Sequence, residues 1–596
     1  MHTSGLHVIS PHSLSDSIYP PSSPALSNTS LVQSYFTAAA NEFVDACFGL
    51  SEEDLSESDL AQCFLTTAAD DNPFTLTDAL DRDDGDKWKQ AYDSEIDSIM
   101  QHGTFSWEPL PEGKTLVKGK LIFTKKPARD GKPERYKVRG VAKGFSQKYG
   151  LDYHDVFAPV VMYKTLRLAC ALAVKYDMHI HKMDVKTAFL NGDLEEDIYM
   201  EPLPGCTPPE GKEHCVWKLH KSLYGLKQSP RCWNALLHEY LVSEGFTRLT
   251  SDYGTYKRGR GKNLTLITVY VDDLLIINRN MSVVNHIKKN LSARFDMVDF
   301  GEAQSILGID ITRDRAAGTL TLCQSSYADK LIQQFEQTHR ASRVSPLELG
   351  QSLSKSTAPS PDLPYRGLVG SLMHLMVCTR PDLASSVGIL SRFLDCFDAS
   401  HWEAALRVLQ YLKGTTTEGI TFTSHSDLPV LGFCDSDWAG DPDDNKSTTG
   451  WIFLWMGGAI SWESKKQKCI ALSSCEAEYY ALGSAGMEVS WLWNILGELH
   501  LTPSSPTVVY SDSQSAIQLA LNPVFHGRSK HIKNKYHFIR DLLADGLMYL
   551  EKVHTDSNIA DALTKALPGP KVAFCRKGMG LSPSAFFSQC LSGITR

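Results

Sequence analysis

The stretch LITVYVDDLLIINR, residues 266–279, carries most of the information about the fold. Apolar residues lead up to Val271 and resume from Leu274, which predicts two strands joined by a tight turn. Asp272 and Asp273 lie at that turn. Burying a carboxylate without a partner is costly, and a metal ion is the usual compensation. The stretch therefore predicts a buried hairpin that presents acidic side chains to a cation, with an acidic surface turn as the alternative.

A third carboxylate comes from HIHKMDVKTAFLNG, residues 179–192, where Asp184 ends a short apolar strand. Three carboxylates from adjacent strands suit two Mg²⁺ ions about 3.5–4 Å apart, which stabilise the attacking and leaving oxygens of a phosphoryl transfer. In this interpretation Asp184 and Asp272 contact both ions. The role of Asp273 stays open.

Longer segments around these carboxylates resemble a known family. YVDD resembles the metal-binding motif of reverse transcriptases. MDVKTAFLNGDLEEDIYMEPLPG (183–205) and KSLYGLKQSPRCWN (221–234) resemble the copia, or Ty1-like, retrotransposon family. The resemblance runs from about Trp88 to Ala566, which is most of the chain. It implies a right-hand polymerase that uses Mg²⁺, or Mn²⁺ in its place.

The resemblance implies a nucleotide pocket beside the carboxylates. Phe189 stands where the family has its steric gate, an aromatic ring that crowds a 2′-hydroxyl and so favours deoxynucleotides. Its alternative is an ordinary core position. Lys126 and Arg139 would bind the triphosphate, Arg139 by a bidentate fork, and Lys125 is an alternative to Lys126.

Two glycine positions belong to the same implied site. Tyr224 and Gly225 stand where related retroviral enzymes carry a Gln-Gly pair near the nucleotide, and Gly225 would permit close backbone approach. Gly308, between Leu307 and Ile309, resembles the primer-grip hairpin. A plain strand with one glycine is the alternative there.

A second set of carboxylates follows in four separate segments. Asp435 lies in the strand GFCDSDWAG, and Glu478 in the helix SCEAEYYALGSA. Asp512 follows the strand TVVYS, where a helix N-cap is its alternative role. Asp561 lies in SNIADALTKAL, near the start of a predicted final helix. Glu476 is the alternative to Glu478, which we prefer because Ala481 and Ala485 share its helix face.

These four carboxylates resemble the site of ribonuclease H, in which two Mg²⁺ ions activate water to cut the RNA strand of an RNA–DNA hybrid. His554 would assist product release or position the water, although an isolated histidine is more often structural. The segment GRSKHIKNKYHFIRD is basic and aromatic. Its residues Lys530, Lys533 and Lys535 would follow the hybrid backbone, with a solvated helix face as the alternative.

Composition narrows the class of protein. The formal net charge is −9, yet residues 114–148 contain 12 Lys/Arg against 2 Asp/Glu, and residues 1–100 contain 18 Asp/Glu against 3 Lys/Arg. A local basic surface beside an acidic arm is expected rather than a uniformly basic protein. The 14 Cys show no CxxC spacing, which favours reduced cysteines over a zinc site. The sequence contains no apolar stretch of about 18 residues, so no membrane span is predicted.

The chain is therefore expected to be a mixed α/β multidomain protein, a right-hand polymerase followed by a ribonuclease H-like α/β domain. The predicted units are a disordered acidic linker (1–74), fingers and palm (75–340), a helical thumb or connection (341–428), the ribonuclease H-like domain (429–568) and a C-terminal tail (569–596).

The expected function is that of an RNA-directed DNA polymerase with ribonuclease H activity, from a fragment of a copia-type polyprotein. The expected partners are an RNA template, a DNA primer, the RNA–DNA hybrid, deoxynucleotides and other Pol and Gag products, with no membrane. Cytoplasmic virus-like particles and the nucleus are the settings that the family implies. The main alternative is a catalytically silent nucleic-acid-binding relic or host-adopted fragment.

Overall fold

A computed structural model describes residues 72–126, 134–357, 360–522 and 533–581. Nearly all of the predicted linker and the whole of the segment 582–596 lie outside these residues. Lys530 also lies outside them, as do the side chains of Lys126, Lys533 and Lys535. No helix in the described ranges is both long and apolar enough to cross a membrane.

The N-terminal unit pairs two helices, Leu76–Leu80 and Gly85–Gln101, with short strands. One sheet has the strand order Phe105–Pro109, Cys215–Lys221, Asp193–Met200 and Leu116–Val117, and a separate hairpin joins Gly119–Lys126 to Arg135–Ala142. The helix Gly85–Gln101 buries Trp88, Ile96 and Ile99. Burial of that apolar stripe attaches the helix to the hairpin.

The central sheet consists of six antiparallel strands. Their order is Met297–Glu302, His179–Val185, Asp273–Asn278, Thr265–Tyr270, Thr255–Arg258 and Thr247–Arg248. The helix Tyr163–Lys175 covers the face that carries Leu275 and Ile277. The helices Ser229–Ser243 and Met281–Arg294 cover the face that carries Leu274 and Ile276. Because both faces are covered, the hairpin strand is apolar at consecutive positions instead of alternating.

A middle unit follows the central sheet. Its strands run in the order Ser305–Ile306, Ile309–Asp314, Thr319–Cys323 and Ile420–Thr423. Its helices are Ser325–Gln334, Tyr365–Cys378, Ala384–Leu390 and Ala399–Lys413. The last of these begins with a capping box in which Asp398 and His401 satisfy each other's backbone N–H groups. The regular structure of residues 341–428 thus consists of helices and one strand, Ile420–Thr423.

The C-terminal sheet has five strands, in the order Gly458–Lys466, Thr448–Trp455, Leu431–Ser436, Thr507–Ser511 and Met548–Lys552. The first three are antiparallel, and Thr507–Ser511 pairs in parallel with both Leu431–Ser436 and Met548–Lys552. Three helices pack on it: Ser474–Glu498, Gln514–Leu521 and Lys533–Ala544. In chain order this is a 3-2-1-4-5 sheet, the α/β pattern expected of a ribonuclease H-like domain.

Short elements complete the described fold. They are the helices Ala188–Asn191 and Gly569–Gly578 and the 3-10 helices Gly144–Ser146, Gly261–Asn263, Gln337–His339, Pro381–Leu383, Ser391–Phe393, Thr555–Ser557 and Ile559–Leu563. The helix Gly569–Gly578 lies in the predicted C-terminal tail. It packs back on the molecule, where Arg576 pairs with Glu418 at 2.5 Å and donates to the Tyr411 hydroxyl at 3.2 Å.

Buried polar contacts join the central and C-terminal sheets. Arg167 donates through Nε to the Ile460 carbonyl at 2.8 Å and through Nη1 to the Val377 carbonyl at 2.7 Å. Its guanidinium also lies over the Trp462 ring, 3.9 Å from the centroid. One guanidinium of the central unit therefore hydrogen-bonds carbonyls of the middle and C-terminal units. These bonds fix the position of the C-terminal sheet relative to the central sheet.

Two candidate acidic centres

The hairpin centre comprises Asp184, Asp272 and Asp273. Tyr270 lies opposite Asp273 in the strand register, so Val271 and Asp272 form a two-residue turn. Val271 has a φ of +56°, a conformation that is costly for a β-branched residue. The indole Nε1–H of Trp233 donates to the Val271 carbonyl at 2.7 Å. The surrounding core thus holds the turn in a strained shape that brings Asp272 to the edge of the sheet.

Asp184 lies next to this turn. It is opposite Asp273 in the neighbouring strand, and the Val185 N–H donates to the Asp272 carbonyl at 2.9 Å. Burial, together with the charges of Asp184 and Asp273, raises the pKa of Asp272 to about 6. Because each carboxylate disfavours the ionisation of its neighbours, a bound cation would stabilise their ionised forms.

Asp273 differs from its two neighbours. Its carboxylate forms an ion pair with Lys182 on the adjacent strand, with Nζ and Oδ1 2.7 Å apart. A counter-charge from the chain itself already compensates this carboxylate. Asp273 is therefore an outer member of the hairpin centre, paired with Lys182.

Three of the predicted nucleotide-binding residues, Arg139, Phe189 and Tyr224, lie in contact with one another beside the hairpin centre. The Phe189 and Tyr224 rings are tilted against each other with centroids 4.8 Å apart, and the Arg139 guanidinium lies 5.2 Å from the Tyr224 centroid. Phe189 is fully buried, as its core alternative expects. The buried Nε of Arg139 meets no hydrogen-bond acceptor in the described part of the chain. The positive charge of Arg139 also lies close enough to Asp272 to offset part of the rise in the pKa of that carboxyl.

Gly225 makes the close backbone approach that its position suggested, but with a protein partner. Its φ is +90°, and a Cβ there would lie 2.1 Å from the Ala142 carbonyl oxygen. The Ala142 N–H donates to the Tyr224 carbonyl at 2.8 Å. Glycine is therefore needed where the N-terminal hairpin docks on the central unit.

The remaining predicted nucleic-acid contacts of this half are at two hairpins. Lys125, the alternative to Lys126, pairs with Glu134 at 3.3 Å. Leu307 and Gly308, with φ values of +52° and +76°, form a tight turn between two short strands. The plain-strand alternative for Gly308 is wrong, because a left-handed pair reverses the chain there.

The C-terminal centre comprises Asp435, Glu478, Asp512 and Asp561. Within the described ranges, one group of acidic side chains converges so that an oxygen of each lies within 4.8 Å of the others, and its members are Asp435, Glu478 and Asp512. The Ser436 N–H donates to Glu478 Oε1 at 3.3 Å. Glu478 Oε2 is buried and has no hydrogen-bond partner among the described residues.

The electrostatics of this centre favour a cation. Burial raises the pKa of Glu478, and the charges of Asp435 and Asp512 raise it further. Burial likewise raises the pKa of Asp435. An orphaned buried oxygen among three converging acids is the donor set that a hard divalent cation takes, so the residues fit a Mg²⁺ or Mn²⁺ ion.

The structure separates the sequence alternatives at this centre. Glu476 Oε2 accepts the Leu472 N–H at 2.9 Å, so Glu476 serves the start of its helix while Glu478 joins the acidic group. The N-cap alternative for Asp512 is wrong, since Ser513 is the N-cap and its hydroxyl accepts the Ala516 N–H.

Asp561 lies in the short 3-10 helix Ile559–Leu563, and the helix Gly569–Gly578 follows it, so the predicted helix is present but is not the final one. Its two oxygens bind two ammonium groups: Lys565 Nζ is 2.7 Å from Oδ1 and Lys571 Nζ is 3.0 Å from Oδ2. Sequence reasoning missed both lysines. The spacing of four residues from Asp561 to Lys565 was the one available signal.

Two other predictions concern the rim of this centre. His554 is an exposed residue that caps a 3-10 turn by accepting the Asp556 N–H at 3.2 Å. Lys533 and Lys535 belong to the helix Lys533–Ala544, which buries Ile539 on the sheet. The predicted contacts of these lysines with nucleic acid stay predictions.

The fold and its acidic centres define a chain of the reverse transcriptase class with a ribonuclease H-like domain. Residues 103–349 match the family model described as reverse transcriptase (RNA-dependent DNA polymerase). The retrovirus-related Pol polyprotein from transposon TNT 1-94 of Nicotiana tabacum is 42% identical over 527 residues, which is 87% of this chain. The chain spans only 40% of that relative's length.

A putative transposon Ty5-1 protein of Saccharomyces cerevisiae is 34% identical over 310 residues, covering 52% of this chain and 100% of that protein. The structure of a foamy viral protease-reverse transcriptase in complex with double-stranded DNA has a TM-score of 0.43 at 14% identity, over 90% of this chain and 84% of that one. The chain belongs to the copia-type family of retrovirus-related Pol polyproteins, as its sequence motifs indicated.

Proposed function

We propose that this chain copies RNA into DNA at the hairpin centre and degrades the RNA strand of the resulting hybrid at the C-terminal centre. The observation that carries the proposal is that one chain has two clusters of carboxylates, each on a different sheet. Asp184 lies beside the hairpin that carries Asp272 and Asp273, and Asp435, Glu478 and Asp512 converge at the other centre. A relic under no selection for catalysis would have no reason to keep both.

At the hairpin centre, Asp184 and Asp272 would hold the divalent ions, and Asp273 with Lys182 would support them. Bound Mg²⁺ would supply Lewis-acid stabilisation of the phosphoryl oxygens. Arg139, held over the Tyr224 ring with an unused Nε–H, would bind the negative charge of the incoming triphosphate. Phe189 would act behind Tyr224 to restrict the sugar pocket, which favours deoxynucleotides.

At the C-terminal centre, Asp435, Glu478 and Asp512 would hold a divalent ion that activates water for attack on the RNA strand. Asp561 would complete the set. The basic strands of the N-terminal hairpin and the helix Lys533–Ala544 would contact the template, primer and hybrid through phosphates, which carry no sequence information. Other Pol and Gag products, virus-like particles and the nucleus belong to the proposal through the family alone.

The proposed units follow the predicted boundaries. Fingers and palm would occupy residues 75–340, the thumb and connection 341–428, and the nuclease 429–568. The helix Gly569–Gly578 would act with the nuclease, because Lys571 contacts Asp561.

A crossed pair of variants tests the two activities in the full chain. Asp272→Asn should reduce primer extension on poly(rA)/oligo(dT) with Mg²⁺ by about 10³-fold or more while leaving cleavage of a labelled hybrid intact. Glu478→Gln should do the reverse. Each variant removes a charge at one centre and serves as the folded control for the other.

Other outcomes separate the alternatives. A folded parent that binds hybrid but neither extends nor cleaves would establish the silent-relic function. Cleavage without extension would leave a nuclease alone. Equal loss of both activities in each variant would contradict two independent centres.

A further inference from the structure

The four carboxylates of the C-terminal centre are not equivalent. Asp435, Glu478 and Asp512 converge, whereas Asp561 is held by Lys565 and Lys571. Asp435 and Asp561 are each only about 2% exposed. The negative charge of Asp561 is neutralised by lysines of the chain itself. A second metal ion that binds Asp561 would have to replace one of these lysines.

Lys565 is shared between the two sets. Its Nζ lies 2.7 Å from Asp561 Oδ1 and 3.3 Å from Asp435 Oδ2, so one ammonium bridges the fourth acid to a member of the converging three. Thr564 donates its hydroxyl to the same Asp435 oxygen. The ammonium therefore stands between two carboxylates at the place where a second cation would contact both.

The two lysines differ in freedom. The Lys565 side chain is about 40% exposed, which gives it a route to solvent. Lys571 is about 18% exposed, and its Nζ also donates to the carbonyls of Thr555 and Asp556 at 2.9 and 2.8 Å. Lys571 is therefore anchored to Asp561 from the far side, and Lys565 is the counter-ion that can leave.

We propose that Lys565 is a resident counter-ion of the nuclease centre, and that a divalent cation binding between Asp435 and Asp561 displaces its ammonium into solvent. The proposal rests on the proposed nuclease function and specifies how that site loads. Two buried carboxylates without a counter-charge are costly, so Lys565 stabilises the metal-free centre. It competes most directly with the second ion, which must lie between Asp435 and Asp561, and less with the ion held by Asp435, Glu478 and Asp512.

Two consequences follow. Divalent ions bind in two stages, the second weaker by about tenfold or more, because only the second must break the Lys565 contacts. The Lys565 amine becomes more accessible when the second ion binds, whereas the anchored Lys571 does not.

The first experiment uses the full chain with Asp184→Asn and Asp272→Asn, which remove the proposed metal ligands of the hairpin centre so that the titration reports the nuclease centre. Lysine acylation is quantified by mass spectrometry across an Mn²⁺ titration followed in parallel by calorimetry. Labelling of Lys565 should rise several-fold over the range of the weaker binding step, with Lys571 unchanged. Constant labelling of Lys565 through both binding steps would overturn the proposal.

The second experiment uses variants in the same titration. Lys565→Met should tighten the weaker step by about tenfold and lower the metal-free melting temperature, which saturating Mn²⁺ should restore. Lys571→Met is the matched control, since among the four carboxylates Lys571 contacts only Asp561 and does not lie between two of them, so this variant should tighten the weaker step much less. Unchanged or weakened binding in Lys565→Met would also overturn the proposal.

These readouts separate the inference from the proposed function. A chain that binds no Mn²⁺ at Glu478 and Asp512, judged by identical titrations of the parent and Glu478→Gln, fails as a metal-dependent nuclease. A chain that binds two ions with no response at Lys565 keeps the nuclease function and loses the displacement alone.

Discussion

The hairpin centre and the C-terminal centre reach similar chemistry by different routes. The hairpin centre draws its carboxylates from adjacent strands and depends on a strained turn at Val271. The C-terminal centre draws its carboxylates from a strand, a long helix, a loop and a 3-10 helix, and three of them converge within 4.8 Å. One centre is organised by local strand register and the other by tertiary packing.

Each centre also uses a lysine, with opposite consequences. Lys182 pairs with Asp273, an outer member of the hairpin centre. Lys565 lies between Asp435 and Asp561, inside the C-terminal centre. A counter-charge at the edge orients a carboxylate, whereas one in the middle competes with a metal. The two centres should therefore respond differently to loss of individual charges.

The largest expected effect separates Asp184 from Asp273. Asp184→Asn should lower primer extension by about 10³-fold or more, because it removes a proposed ligand next to Asp272. Asp273→Asn should cost only about tenfold, since Lys182 already compensates that carboxylate. Steady-state primer extension measures both, and hybrid cleavage in the same preparations confirms that each variant folds.

Equal losses in these two variants would break the comparison. Asp273 would then be an inner ligand, and its ion pair with Lys182 would have to open in the working enzyme. The hairpin centre would in that case resemble the C-terminal centre in having a lysine to displace.

A smaller effect tests whether packing maintains the strained turn. Trp233→Phe removes the hydrogen bond to the Val271 carbonyl and leaves a cavity, which should cost about 2–4 kcal/mol in unfolding free energy. Primer extension should fall about tenfold, with hybrid cleavage preserved. Denaturant unfolding and the two activity assays measure this.

Tyr240→Leu is the matched control for that variant, because it removes an aromatic contact of the same helix without touching the Val271 carbonyl. Tyr240 lies on the same helix and packs its ring edge-on against Phe295, as Trp233 does, at 5.3 Å and 5.2 Å respectively. If both variants reduce extension equally, general packing of the helix and not the Val271 contact supports the turn.

The hairpin centre could be predicted almost completely from sequence because its geometry is local. The apolar run on both sides of Asp272 fixes two strands and a turn, and β-pairing then brings Asp184 alongside. The strain at Val271 could not be predicted, since it depends on Trp233, which is 38 residues away in the chain.

The C-terminal centre was predicted less completely for the same reason. Strand and helix patterns indicated Asp435, Glu478 and Asp512, but which carboxylates meet depends on how a long helix packs on the sheet. The lysines around Asp561 and the Arg167 contacts between sheets join positions distant in sequence. Ion pairs and carbonyl contacts of this kind leave no periodic pattern to read.

The smallest expected effect is a pH dependence of the unfolding free energy caused by His374, which belongs to the same side of the molecule as the hairpin centre. His374 lies on the helix Tyr365–Cys378 under the turn at Gly308, and Gln324 Nε2 lies 3.3 Å from its Nδ1. Burial lowers the pKa of His374 to about 4, although a hydrogen bond to the Leu307 backbone opposes the shift. The folded chain therefore keeps this histidine neutral where the unfolded chain protonates it.

The sign of the effect follows from proton binding. Between pH 6.5 and 4 the unfolded state binds more protons at His374 than the folded state, so this contribution is complete above pH 6.5 and is lost on acidification. Lowering the pH from 7 to 5 should cost the parent about 1–2 kcal/mol more than it costs His374→Gln. The exposed His214→Gln is the control. If urea unfolding shows the same pH dependence of the unfolding free energy in all three proteins, protonation of His374 does not destabilise the fold. The side of the hairpin centre would then be no more sensitive to acid than the rest of the chain.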